Sequence, residues 1–515
     1  MMESVLNHIV AQRPTGGTMT VARLGSQNTV PLSEVWDRAH ALGVQLRAEG
    51  IDRGDRVGIV ASNGLDWVLL DLACLFTGVE TAGFEPGKFT ADAQLAQRYG
   101  LRAVYTDDAS ALVAARPGGP VRSLAEVVRR AHAMSAEASD SVSGRELIEY
   151  GPTDTTSVKF TSGSTGVPKG LAATVGSIDS SLHAVQGIMR HQVGDNLFVF
   201  LPLSLLQQRY WVYSALRWGH DVTVTTYESA FAVLGSHAPT VVMGVPGFFG
   251  AAMRHIEGQL PEDASFKQRR SAAVELFGPN IRYLWTGSAP ADMRVLGFFT
   301  DVGLPIYEGY GLNETCIVSK NYPGANRTGS VGKVLPGKEV FIDEGVVCVR
   351  SDHPVNHSYA FAADGESEKM FRPGGVVRTG DLGHIDADGY LYIHGRADDV
   401  VVLDNGKKIV VRPIEARLRA SEAIAECIVY CRDQTELVAI ASSDGVADPN
   451  AVAQALKKAN AEAEPDEQIR RVILAQEPFS IAAGTLTSQF KPVRRAIVDK
   501  YEKSIFDPKA GIHAT

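Results

Sequence analysis

A short apolar run, "RVGIVAS" (Arg56 to Ser62), stands between two segments with helical spacing, and that alternation returns along the chain. Upstream, Val35, Ala39, Leu42 and Leu46 stripe one face of a helix expected over 33–50, with Ser33 as its N-cap and Gly50 as its stop. Downstream, Asp66 to Thr77 predicts a second helix. Buried-strand patterns recur at "LRAVYTDD", "NLFVFLPL", "HDVTVTTY", "APTVVMGVP" and "IRYLWTGS". A chain that alternates buried strands with amphipathic helices satisfies both by layering the helices on mostly parallel sheets, so the fold class is α/β. Ligand sites then belong to loops beyond the carboxyl ends of the strands.

The texture changes further on. "GSVGKVLPGKEVFID", "EGVVCVRSD" and "DGYLYIHG" are glycine-punctuated β segments and predict a smaller β subdomain of hairpins. From Val400 onward "VVVL", "PIEARLRAS", "ECIVYCR", "LVAIASS", a helix near Pro449 to Asn460 and "RVILAQ" form a stretch long enough for a compact α+β domain.

Composition removes several classes of function. Lys and Arg number 50 against 59 Asp and Glu, a net charge of −9 with no basic run or arm, so nucleic acid is not an expected partner. The longest apolar stretch, Trp67 to Phe76, is short and contains Asp71, so no bilayer span is expected. The N-terminus lacks a basic start followed by an apolar core, so no secretion signal is expected. Five cysteines without CxxC spacing suit reduced thiols in a cytoplasmic protein.

One stretch demands a ligand. "KFTSGSTGVPKG" (Lys159 to Gly170) is too rich in glycine and proline for a helix or regular strand. Glycines free backbone N–H groups to face an anion, hydroxyls add donors, and lysine adds a point charge, which together suit phosphate. It is not a Walker loop: Gly163 and Gly166 are too close together, Pro168 precedes Lys169, and Gly170 stands where Ser or Thr is required. Thr156 to Phe160 reads as a strand feeding directly into it, the usual way of presenting a phosphate site.

Further tight turns carry polar side chains: "TGSAP" (286–290), "YEGYGLNET" (307–315), "RTGDLG" (378–383) and "GRADD" (395–399). Near the end, "GTLTSQFKPVRR" places Lys491 in a polar loop. Ser488-x-x-Lys491 also has a penicillin-binding spacing, but its position and the missing partner motifs argue against that. In this order and spacing, with "TSGSTGVPKG", the turns resemble the adenylate-forming superfamily of acyl-CoA synthetases, nonribosomal adenylation domains and luciferases. The resemblance runs from about residue 20 to 500 and leans toward long-chain acyl-CoA ligases.

That resemblance implies a large N-terminal domain (1–398), including the β subdomain, and a small mobile C-terminal domain (399–515) with its hinge at Asp399. It implies an enzyme that joins a hydrophobic carboxylic acid to ATP, releasing pyrophosphate, and passes the acyl group to coenzyme A. Joining two anions makes catalysis mostly positioning and charge neutralisation. By position, Thr161, Ser162, Gly163, Ser164, Thr165, Gly166 and Lys169 would cradle the phosphates. Glu314 would bind Mg²⁺. Tyr310 and Gly311, beside the Ser288-Ala289-Pro290 turn, would face adenine. Asp381 would hold the ribose hydroxyls, with Arg396 near the α-phosphate. Lys491 would bridge the substrate carboxylate and the α-phosphate, and Gly406 would line the coenzyme A route. A monomer or homodimer is expected, with either free coenzyme A or a carrier protein as the acceptor.

Two departures stand out. Asn313 replaces the family's threonine before the magnesium glutamate, and Leu205 replaces a histidine found in long-chain relatives after "LPLS". The second implies a more apolar acid pocket, lined by Leu205, Trp211, Phe248, Phe249 and Trp285, and a bulky acid fits as well as a fatty chain. Weaker similarity is to ligases of bacterial antibiotic pathways, including those for diterpenoid acids of the platensimycin type. Since both departures lie on the adenylation side, an enzyme that only transfers a preformed acyl-adenylate to coenzyme A is one alternative. A non-catalytic adenylate-binding protein is another.

Overall fold

The computed structural model describes residues 3–137, 148–161, 168–261, 263–404, 407–445, 448–487 and 490–514. Two large sheets form the frame. In the six-stranded sheet, Val121–Ser123, Ala103–Thr106, Arg56–Val60, Glu80–Phe84 and Thr155–Thr161 run parallel, and Lys169–Thr174 closes one edge antiparallel. In the nine-stranded sheet a parallel centre runs in the order Thr18–Arg23, Asp221–Val224, Asn196–Val199, Val241–Gly244, Tyr283–Thr286, Ile306–Leu312. Antiparallel strands finish both of its edges: Ser26–Pro31 on one, Cys316–Lys320 and Lys333–Val334 on the other.

The helices expected between strands are present, and the largest apolar core draws on both sheets and the helices Leu32–Ala48, Leu65–Thr77 and Leu206–Trp218. Leu65–Thr77 is buried at every position from Trp67 to Thr77, which is why its sequence is apolar all round. The one charge in that buried span, Asp71, is fully compensated. Arg209 Nη1 donates to Asp71 Oδ1 at 2.9 Å and to the hydroxyls of Thr81 and Ser157, and Tyr213 Oη donates to Asp71 Oδ2 at 2.6 Å. This buried knot ties a helix beside one sheet to two strands of the other.

One boundary differs from expectation. The helix over 33–50 begins at Leu32, with Pro31 in the N-cap position and no side-chain cap. Pro31 also ends a strand paired with Thr18, so the chain turns directly from strand into helix and Ser33 falls inside the first turn. Gly50, at φ 73°, follows the helix end as expected.

The β subdomain is an antiparallel sheet of Lys338–Asp343, Val346–Ser351, Val376–Ile385, Leu391–Arg396 and Phe371–Arg372. Beyond it, Val400–Val402 pairs with Lys408–Val410 in a hairpin rather than joining the next sheet. That sheet, Glu426–Arg432, Glu436–Ser442, Ile469–Leu474 and Ile512–His513, is packed by the helices Val411–Arg419, Pro449–Ala461 and Arg494–Phe506. All five cysteines are free thiols, and no described helix is long and apolar enough to cross a membrane.

Candidate active site

Thr161 and Lys169 stand opposite one another at the ends of antiparallel strands. Ser162, Gly163, Ser164, Thr165 and Gly166 lie outside the described residues, as does Gly406. The Lys169 ammonium is ion-paired with Glu366 and lies 5.2 Å from the centroid of the Tyr359 ring. Glu366 also accepts from Lys369 at 2.5 Å. Hydrogen bonds from Lys169 and then Lys369 hold its carboxyl down at about 2.

Tyr359 links this lysine to Glu314: its Oη donates to Glu314 Oε1 at 2.7 Å. Glu314 sits in the turn between Ile306–Leu312 and Cys316–Lys320, and the turn is closed by the Leu312 N–H donating to Thr315 Oγ1 at 2.9 Å. A Cβ on Gly311 would lie 2.0 Å from the Cys316 carbonyl oxygen, so only glycine fits there. Two lysines grip the carbonyls on either side of the acid. Lys159 Nζ donates to Asn313 O at 2.6 Å, and Lys338 Nζ to Thr315 O at 3.0 Å. Between them burial pushes the Cys316 thiol up, but Lys159 and Lys338, joined by hydrogen bonds with Tyr210 and Ser181, leave it below its ordinary range. The feature expected of Asn313 was its side chain; the structure shows its carbonyl being held.

The second half of the site is built on the subdomain. Asp381 and Arg396 are partners across antiparallel strands, with Arg396 Nη1 3.1 Å from Asp381 Oδ1. Tyr310 Oη donates to Asp381 Oδ2 at 2.6 Å. Burial raises the Asp381 carboxyl, against the pull of Arg396 and Tyr310. Lys491 comes from the far end of the chain and lies near enough to Asp381, Arg396 and Arg412 to feel all three charges. Burial, then Arg412, lowers its ammonium to about 8, while Asp381 opposes them. Asp399 accepts from Arg412 Nε at 2.7 Å and pairs with Arg494 at 3.2 Å. Ser288 is exposed, at φ 71°, and the turn after it is supported by buried Glu308, whose Oε1 accepts from the Ala291 N–H at 3.4 Å. Burial pushes Glu308 up to about 7.

The expected acid-pocket residues fall in three places. Leu205 is half-buried at the start of the helix Leu206–Trp218. Trp211 and Trp285 pack edge to face, 5.0 Å apart, with the ammonium of fully buried Lys320 3.5 Å from the Trp285 centroid. Phe248 and Phe249 are both 0% exposed within a second core. Sequence reasoning missed Tyr359, Glu366, Lys159 and Lys338. Lys159 was in view as the start of the quoted glycine-rich stretch, but a lysine in a strand gives no sign of which carbonyl it will meet.

The chain belongs to the AMP-binding enzyme family, whose model matches residues 8–353, and residues 398–507 match the AMP-binding enzyme C-terminal domain. It is 26% identical over 582 residues to the long-chain-fatty-acid–CoA ligase FadD15 of Mycobacterium tuberculosis, spanning 97% of this chain and 94% of that one. It is 25% identical over 430 residues to the 2-succinylbenzoate–CoA ligase of Bacillus subtilis, spanning 79% of this chain and 81% of that one. Among solved structures, ATP-bound MatB from Rhodopseudomonas palustris superposes with a TM-score of 0.78 at 20% identity, over 97% of this chain and 99% of that one.

Proposed function

We propose that this chain activates a hydrophobic carboxylic acid with ATP and transfers the acyl group to coenzyme A, forming AMP and pyrophosphate. The observation that carries the reading is the convergence of Lys491 from the C-terminal part of the chain on the Tyr310–Asp381–Arg396 group. Lys169 supplies a cation suited to the phosphates of the same nucleotide, and Tyr359 orients Glu314, a carboxylate suited to the metal that accompanies them. Tyr310 and Asp381 would hold the adenosine, and Lys491 with Arg396 would offset charge where carboxylate and α-phosphate meet.

Among the described residues no cluster of three or more His, Cys, Asp or Glu side chains could hold a metal ion alone. One oriented carboxylate, Glu314, fits Mg²⁺ all the same, because Mg²⁺ is commonly held by one or two carboxylates together with substrate phosphates. When bound, it neutralises phosphate charge. The transfer-only alternative draws less support, since Lys491, Glu314 and Lys169 all have charged or hydrogen-bonded partners in the site. The domain division at residue 398, a hinge at Asp399 and an apolar acid pocket around Leu205 and Trp211 belong to the same proposal.

Incubating the protein with ATP, Mg²⁺, coenzyme A and a panel of fatty, aromatic and terpenoid acids tests it. AMP and pyrophosphate with an acyl-CoA product are expected from at least one acid. ADP and phosphate would overturn the reading.

A further inference from the structure

Lys491 follows a bulky residue in a backbone conformation that bulky residues avoid. Phe490 has φ 58°, in the left-handed region that glycine ordinarily occupies. Its ring has a seat in the large domain. It packs on Tyr227 with centroids 4.8 Å apart, and its Cβ lies 3.3 Å from where a Cβ on Gly247 would stand. Tyr227 opens the helix Tyr227–Val233, and Gly247 lies in the first turn of Pro246–Glu257. Through Tyr227 the ring reaches Phe200 and Phe248.

Among the described residues, Phe490 is the one residue beyond 398 that packs into an apolar cluster of the preceding chain. The ion pairs that cross the same boundary, Arg254–Asp444 at 3.2 Å and Arg294–Glu422 at 2.8 Å, are exposed and hold little. Phe490 and Lys491 are also tied to the same residue, Thr487, by hydrogen bonds. The Phe490 N–H donates to Thr487 O at 2.8 Å, the Thr487 N–H to Lys491 O at 2.8 Å, and the Lys491 N–H to Thr487 Oγ1 at 3.1 Å.

We propose that Phe490 is a positioning residue for adenylation: seated on Tyr227 and Gly247, it holds Lys491 against Asp381 and Arg396. The inference rests on the reading of Lys491 as the adenylation lysine. Backbone strain in a non-glycine residue persists where its surroundings over-determine it. Here the seat supplies that constraint, and leaving it lets φ relax. The same residue therefore secures the adenylating arrangement and eases its release, and transfer of the acyl group to coenzyme A does not need the seat.

The test uses the full-length protein and two assays, acid-dependent ATP–pyrophosphate exchange and acyl transfer from a synthetic acyl-adenylate to coenzyme A. Phe490→Gly keeps the left-handed backbone and removes the ring. It is expected to lower kcat for exchange by roughly tenfold to a hundredfold, with KM for ATP little changed and transfer intact. Phe490→Tyr should restore exchange, and Tyr227→Ala should reproduce the loss from the other side. Hydrogen–deuterium exchange supplies a readout independent of activity: the helix Tyr227–Val233 and the start of Pro246–Glu257 should exchange faster in Phe490→Gly, with Arg494–Phe506 unchanged. Unaltered protection at those helices, or equal loss in both assays, would overturn the inference. A wild-type protein without exchange on any acid would instead overturn the functional reading, and the protection data would still decide the docking.

Discussion

Replacing Tyr359 by Phe removes a single oxygen, the donor that orients Glu314 at 2.7 Å, and keeps the ring beside Lys169. A hydrogen bond to a charged group contributes about 1.5–3 kcal/mol, or roughly 10–150-fold in an equilibrium. Tyr359 and Glu314 are 8% and 6% exposed, so water recovers little of that loss. Outer partners of metal-binding carboxylates are typically worth about 10–100-fold in metal affinity, which agrees. The expected result is a rise of at least about tenfold in the Mg²⁺ concentration giving half-maximal ATP–pyrophosphate exchange. Transfer from a preformed acyl-adenylate, which involves no pyrophosphate, should change little. The melting temperature should fall by only about 1–3 °C, because a chain this long has a large unfolding entropy. An unchanged or tighter Mg²⁺ dependence would refute the assignment of Tyr359 as the group that sets Glu314 for the metal.

The lowered Lys491 ammonium predicts a pH effect of definite sign: it is charged below about 8 and neutral above. Since kcat/KM reports the free enzyme, exchange measured that way should decline above about pH 8. A profile flat to about pH 10, the ordinary lysine range, would contradict this. Asp71→Asn should destabilise the protein by about 3–5 kcal/mol in denaturant unfolding, because it leaves buried Arg209 without its counter-ion. A loss below about 1 kcal/mol would show that the knot is not charged as described.

The alternation of apolar runs and helical stripes already required layered sheets and helices, because side-chain periodicity is set within a few residues and names the face each element must bury. The strand before the glycine loop was legible for the same local reason, whereas Gly311, Glu314, Asp381 and Lys491 stood out only because their motifs resemble those of a known family. Even so, Ser33 shows the limit of local chemistry: a good capping residue is not used when the preceding strand runs straight into the helix.

What the tertiary structure decided is which groups meet. Asp71 and Arg209 are 138 residues apart, and nothing near either in sequence names its partner. Tyr359 finds Glu314 only because the segment before Glu366–Met370 folds back over the turn after Ile306–Leu312. Lys159 and Lys338 lie on different sheets, and the packing of those sheets, not any motif, brings both ammoniums to carbonyls beside one acid. Phe248 and Phe249, expected from the family resemblance to line an acid pocket, are enclosed in the core beside Phe277 and Phe299. Phe490 gives no local sign of a role, and its seat on Tyr227 appears only when residues far apart in the chain pack together. The physical reason is common to all of these: periodicity is a property of neighbours in sequence, whereas a buried charge or a strained backbone is satisfied by whatever the packed layers place beside it.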